Sequence, residues 1–308
     1  MNTPSSRESQ VIAAVPATRP LHWSVRRELW ENRSLYIAPL AVAALALSGF
    51  LFTLIDPPKN HDMGLAAINP SFDPTGLAMP YSHAAMLLLL TAFIVVIFYC
   101  LDALYGERRD RSVLFWKSLP VSDLTTVLAK AAIPLAILPL IVFAITVALQ
   151  LTMLLLSFAA LLISGGSVAT LWRQLPLFQL QAVLLYTLAV MTLWYAPIYA
   201  WLLLISAWAR RTTFLWAVLP PLAIALVEFI AFHTIHFGLL LRERFVGYAP
   251  RAFNYRTPDG ALIDPHFIPV TQITPGKFLG SPGLWIGLLF AALFLAAAVR
   301  LRRYREPI

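Results

Sequence analysis

Long stretches without a single charge alternate along this chain with short clusters in which charges gather. The long stretches are apolar on every face rather than along one stripe. Several reach about 20 residues, the length a helix needs to cross a bilayer core. Six spans are predicted, at about 35–55, 83–104, 127–163, 176–209, 213–237 and 283–299. The first is closed by Asp56-Pro57-Pro58 and the third by Ser164-Gly165-Gly166. The ten-residue alternation of an outer-membrane barrel is absent. The pattern therefore predicts an all-α integral membrane protein, with residues 1–19 as a disordered polar tail and 20–308 as a single six-span domain.

Two spans are longer than a bilayer requires. Residues 131–163 would rise about 50 Å as a helix, against roughly 30 Å of hydrocarbon. One tilted or protruding helix fits better than two spans and a turn. Pro134, Pro139 and Pro197 are expected to kink these helices. Two segments outside the spans carry further pattern. In residues 20–36, Leu21, Val25 and Leu29 recur at i, i+4 and i+8, with Arg27 and Glu31 on another face and Trp23 and Trp30 nearby. This reads as a helix lying along the membrane interface, or equally as a charged flank. Residues 238–282, with five prolines, read as a small ordered cap or as a loop.

Composition agrees with the pattern. Hydrophobic residues make up 59% and charged residues 12%, and the mean hydropathy is +0.75. The net charge of +8 is carried by clusters beside the spans, which is how membrane orientation is written, and does not point to nucleic acid. With the amino terminus in the cytoplasm, 16 of the 23 Lys and Arg residues fall on the cytoplasmic side and 7 outside. Both termini are accordingly expected in the cytoplasm. Cys100 is the only cysteine, so no intrachain disulfide is possible, and it reads as a small buried hydrophobe.

The densest charge, Glu107-Arg108-Arg109-Asp110-Arg111, stands between the second and third spans. It is followed by Ser112, Val113, Leu114, Phe115, Trp116, Lys117, Ser118, Leu119 and Pro120, then by Ser122, a plausible helix N-cap. A loop that only sets topology needs basic residues. It does not need Phe115, Trp116 and Leu119 displayed between two spans. A short amphipathic helix with a charged approach suits the docking of a partner protein.

The stretch "GERRDRSVLFWKSLPVSD" resembles the cytoplasmic loop of ATP-binding-cassette transporter permeases of the type-two (exporter) family, through Glu107, Ser112, Leu114, Leu119, Pro120, Val121, Ser122 and Lys130. Arg111 stands where a glycine is common in that family, and Arg109 where a second acid is frequent. The resemblance implies a coupling helix between spans two and three that binds a separate ATPase subunit. Glu107, Arg108, Arg109, Ser112, Leu114, Phe115, Trp116, Leu119 and Pro120 would form the contact. It also implies pairing with a second, identical or homologous permease, contact with membrane lipids and no nucleic acid. The chain has no G-x-x-x-x-G-K-[ST] loop; Gly276-Lys277 is only a fragment of one. ATP and Mg would therefore be held by the partner chain, and this chain would not itself be an enzyme.

Inside the spans the candidate chemistry is sparse. Glu228 lies in the fifth span, followed by His233 and His236. At 100° per residue Glu228 and His236 are about 80° apart, and His233 about 140° from Glu228. An intramembrane acid there reads as a substrate contact or proton site, or as a helix-packing group. His233-x-x-His236 alone is a weak metal signal. The alternatives to a permease are an intramembrane lipid-modifying enzyme or protease, and a non-transporting membrane anchor for a signalling ATPase.

Overall fold

The computed structural model of the protein describes residues 18–55, 74–110, 122–163, 177–255 and 269–304. Among these there is no strand, only one isolated antiparallel bridge between Phe253 and Ile273. Helix is the form expected in lipid, where each backbone polar group must find its partner within the segment. Six helices are long and apolar enough to span a membrane. The protein is thus an all-α, multi-pass membrane protein.

Helix α1 (Thr18–Glu31) precedes the first span, α2 (Ser34–Ile55). Its outer face displays Trp23 and Trp30 with the Arg26 guanidinium over both rings, at 5.4 and 4.8 Å from their centroids. Aromatic and basic groups side by side suit the headgroup level of a bilayer. The second span, α3 (Pro74–Asp102), breaks at Ala103 and Leu104 and resumes as the single turn α4 (Tyr105–Arg109). The break leaves two N–H groups without helical partners. Both Leu104 N and Tyr105 N donate to the buried Ser206 hydroxyl, at 2.8 and 2.9 Å.

The third span is continuous over Asp123–Ile163, 41 residues, one helix rather than two spans and a turn. It runs as α5 (Asp123–Ala132), a π turn (Ile133–Ile137) and α6 (Leu138–Ile163). Pro134 lacks the N–H an α-helix would use, and the helix widens there. Pro197, by contrast, lies inside the unbroken α7 (Leu177–Trp208). Helix α7 is the hub: 61% of its most apolar stretch is buried, against 6% for the next span, α8 (Thr213–Phe232). Along most of its length α7 packs on the last span, α12 (Pro282–Tyr304). Ala196 and Ala200 meet Ala291 there, small residues that let backbones approach.

The fifth span ends at Phe232, five residues earlier than the hydrophobic pattern predicts. His233 adopts a left-handed conformation (φ 51°) and terminates it. The chain then folds back as α9 (His236–Val246) against α7. Trp194 Nε1 donates to Arg244 O at 2.9 Å, and Tyr195 OH to Phe245 O at 2.7 Å. Trp194 lies about 21 Å along α7 from Trp208, while α8 rises about 30 Å from that same end. The end of α9 has therefore returned toward the middle of the bundle. Short helices α10 (Ala249–Ala252) and α11 (Pro275–Leu279) and the Phe253–Ile273 bridge complete an ordered cap.

The cap is pinned by Arg244. Its guanidinium lies 4.7 Å from the Trp194 ring centroid and donates to Gly283 O at 3.2 Å. A Cβ on Gly287 would fall 1.3 Å from Arg244 Nη2. Gly287→Val should therefore expel the guanidinium and lower stability by about 1–3 kcal/mol, the usual cost of overpacking. Thermal unfolding in detergent measures this, and an unchanged midpoint would show that Arg244 does not hold the cap.

Candidate functional site

The charges that flank the second and third spans converge in one buried cluster. Arg27 and Glu28 come from α1, Glu107 from α4, Asp123 and Lys130 from α5, and Arg302 from α12. Asp123 and Lys130 are seven residues apart, two turns on one helix face. Arg302 comes from the last turn of α12.

The geometry is closed. Lys130 Nζ donates to Glu28 Oε1 at 2.8 Å and lies 3.1 Å from Glu107 Oε1. Arg27 Nη2 donates to Glu107 Oε1 at 2.8 Å and lies 3.0 Å from Glu28 Oε1. Arg302 Nη1 reaches Glu107 Oε2, and Arg302 Nε donates to Asp123 Oδ1 at 3.1 Å. Tyr99 OH, from α3, donates to Glu28 Oε2 at 3.0 Å. Three cations and three carboxylates balance. At the rim, Glu31 lies 3.4 Å from Arg27 Nε. Partial burial raises its carboxyl above the usual range, and Arg27 pulls it back.

Glu28 and Lys130 are only 1% and 2% exposed. Their charges are tolerable because each is paired and hydrogen-bonded; alone, either would carry a large desolvation penalty.

The loop residues expected to meet a partner are divided by this arrangement. Glu107 and Arg108 are buried and turned inward. Arg108 Nη1 donates to Ala207 O and Ala209 O, at 2.6 and 3.2 Å, a cation placed at the carboxyl end of α7. The expectation that Glu107 and Arg108 steer a soluble partner gives way, in this arrangement, to a role in joining the chain's own elements. Arg109 and Asp110 are exposed and pair with each other at 3.0 Å. Ser112, Leu114, Phe115, Trp116, Leu119 and Pro120 lie outside the described residues. Ser122 resumes the description as the N-cap of α5, accepting from Thr125 N at 3.0 Å. Both ends of 111–121 are thus tied to the same cluster, through Glu107 before it and Asp123 after it.

Glu228, His233 and His236 are brought to one turn, but as a cap. The Glu228 carboxylate accepts from Thr234 Oγ1 at 2.8 Å and from His236 N and Phe237 N, both at 2.7 Å. It caps α9 from within α8, the packing alternative of the two readings. Among the described residues no group of three or more His, Cys, Asp or Glu is placed to hold a metal ion. A mainly apolar cavity of about 400 Å³ lies elsewhere, with Ser82, Gln150 and Thr187 as polar groups in its wall and Tyr248, Phe253 and Tyr255 of the cap beside them. Gln150 is buried and donates to Tyr81 O at 3.0 Å, while Gln181 Nε2 donates to Gln150 Oε1.

Sequence reasoning missed Glu28 and Arg302. The signal for Glu28 was present. It sits three residues after Val25 and one before Leu29, on the apolar stripe of α1, where an acid has no place unless a cation meets it. No family model, curated protein or solved structure matches the chain.

The cluster makes a graded prediction. Lys130→Met removes the more deeply buried of the two cations that Glu28 and Glu107 share and should cost about 3–5 kcal/mol. Arg109→Met, which removes only an exposed pair, should cost less than about 1 kcal/mol. Equal shifts in the thermal midpoints of the two variants would contradict the assignment.

Proposed function

We propose that this protein is the membrane-spanning permease subunit of an ATP-driven exporter, working in a bacterial inner membrane with both termini in the cytoplasm. The observation that carries the reading is the double anchorage of residues 111–121. The segment leaves Glu107 and returns at Asp123, and the pairs these two residues make join α1, α5 and α12. A push on this segment would be delivered to the starts and ends of several spans at once. That is what a coupling element driven by a separate ATPase requires. The resemblance of "GERRDRSVLFWKSLPVSD" to exporter-family loops supports the same reading.

In this scheme ATP and Mg belong to the partner ATPase, and a second permease copy completes the path. Arg109, Ser112, Leu114, Phe115, Trp116, Leu119 and Pro120 meet the ATPase, while Glu107 and Arg108 transmit its motion inward. The cavity beside Gln150 is a better candidate for substrate contact than Glu228, whose oxygens are already engaged.

Two measurements test this. In a Cys100→Ala chain, Phe115→Cys and Tyr304→Cys should be protected from a membrane-impermeant thiol reagent in intact cells, and Gly260→Cys should be labelled. The opposite pattern would reverse the orientation. Trp116→Ala should lower affinity for a co-expressed cassette ATPase by about 2 kcal/mol or more, roughly 30-fold, with the permease still folded. Unchanged complex yield and transport in Trp116→Ala, Leu119→Ala and Arg109→Glu together would reduce the loop to a topology signal.

A further inference from the structure

The peripheral position of α8 leaves a space behind it. An apolar cavity of about 600 Å³ lies between α3, α7, α8 and α9, within the size range of ligand sites. Leu101, Leu202, Phe214, Ala217, Ala225 and Leu241 are among its walls. Along α8 it extends from Phe214 to Ala225, about 16 Å. Half of a roughly 30 Å hydrocarbon core is about 15 Å, the depth that one leaflet's acyl chains fill. The stem of Arg244 and Phe237 line the far end.

At its near end the cavity reaches Phe214, three residues after Arg211 of the α7–α8 turn. Arg210 and Arg211 stand exposed in that turn. Among the described residues no carboxylate pairs with either of them. Asp102, at the end of α3, packs against Gly106, 3.2 Å from where a Cβ there would stand. Thr212 is held in a left-handed conformation (φ 48°), so α8 starts directly after the two arginines. Trp208 and Trp216 meet edge to face, 4.6 Å between centroids, across the same turn. Tryptophan at this height marks the boundary between headgroups and chains.

We propose that this groove is a binding site for an anionic phospholipid, with one acyl chain between α3, α7 and α8 and its phosphate held by Arg210 and Arg211. The apolar walls accept the chain, and the two cations of the adjacent turn, paired with no carboxylate among the described residues, select a negative headgroup. The first turn of α8, which has no side-chain cap, adds backbone donors at the same place. The site belongs to whichever leaflet contains that turn, so it stands independently of the permease reading.

Lipid binding to the full-length chain, purified in a neutral maltoside detergent and stripped of lipid, tests the assignment. Native mass spectrometry would titrate phosphatidylglycerol, phosphatidylcholine of the same chains, and inorganic phosphate. Phosphatidylglycerol should bind at least about tenfold more tightly than phosphatidylcholine, and phosphate should not compete. R210Q/R211Q should weaken phosphatidylglycerol by roughly 30-fold, as expected for two interfacial cations, and leave phosphatidylcholine unchanged. Ala225→Trp, which fills the groove, should weaken both lipids. Equal affinity for the two lipids, an undiminished preference in R210Q/R211Q, or competition by phosphate alone would overturn the proposal. So would loss of lipid binding on dimerisation, which would assign the groove to a second copy of the chain.

Discussion

Everything at one end of this molecule depends on keeping the Glu107 carboxylate paired. A charge removed from water is costly unless it is met by opposite charge and hydrogen bonds, and Glu107 is met by Arg27, Lys130 and Arg302. Each partner belongs to a different helix. Satisfying one carboxylate therefore fixes where α1 docks, where the third span begins and where the last span ends. Buried ion pairs of this kind contribute little net stability compared with apolar packing of the same volume. Their effect is positional: in this arrangement all six charges are matched across four helices.

Above that end, positions are set by packing. Helix α7 reaches most of the bundle, with its alanines against α12 and Tyr195 against Phe93, while α8 touches little. The difference is visible in the exposed apolar side chains of α8, from Leu215 to Phe232. In lipid such exposure carries no penalty, so a span can stand apart and leave an apolar groove behind it. The cap returns from the end of α8 to the middle of α7. It is held there by two indole and phenol donors on backbone carbonyls and by one guanidinium over a glycine.

The six spans were legible because length and all-round apolarity are strong signals, and their boundaries agree to within a few residues except at the start of α3 and the ends of α8 and α12. Helix α8 stops early because His233 takes a left-handed conformation and Glu228 folds over to cap α9. A local backbone choice of this kind leaves no periodic trace. The early start of α3, at Pro74, was likewise hidden in a mixed stretch. The charged run at 107–111 read as facing a partner because clustered charge usually faces water. Glu107 turns inward because Lys130 and Arg302, 23 and 195 residues away, are brought to it, and no local pattern encodes that. Glu28 was the exception, an acid on an apolar stripe whose meaning lay in its own helix.

The separation of Glu107 from Arg302 also bears on how the protein is made. Chains emerge from the ribosome amino terminus first, and the charged groups of the cluster appear in the order Arg27, Glu28, Glu107, Asp123, Lys130, Arg302. For most of synthesis Glu107 has Arg27 and Lys130 as possible partners, and Asp123 has no Arg302 to accept from. Only after the sixth span has been made does the last guanidinium arrive, adding pairs with Glu107 and Asp123 to the one Lys130 makes with Glu107. By order of synthesis, Asp123 thus lacks its Arg302 partner until the sixth span has been made.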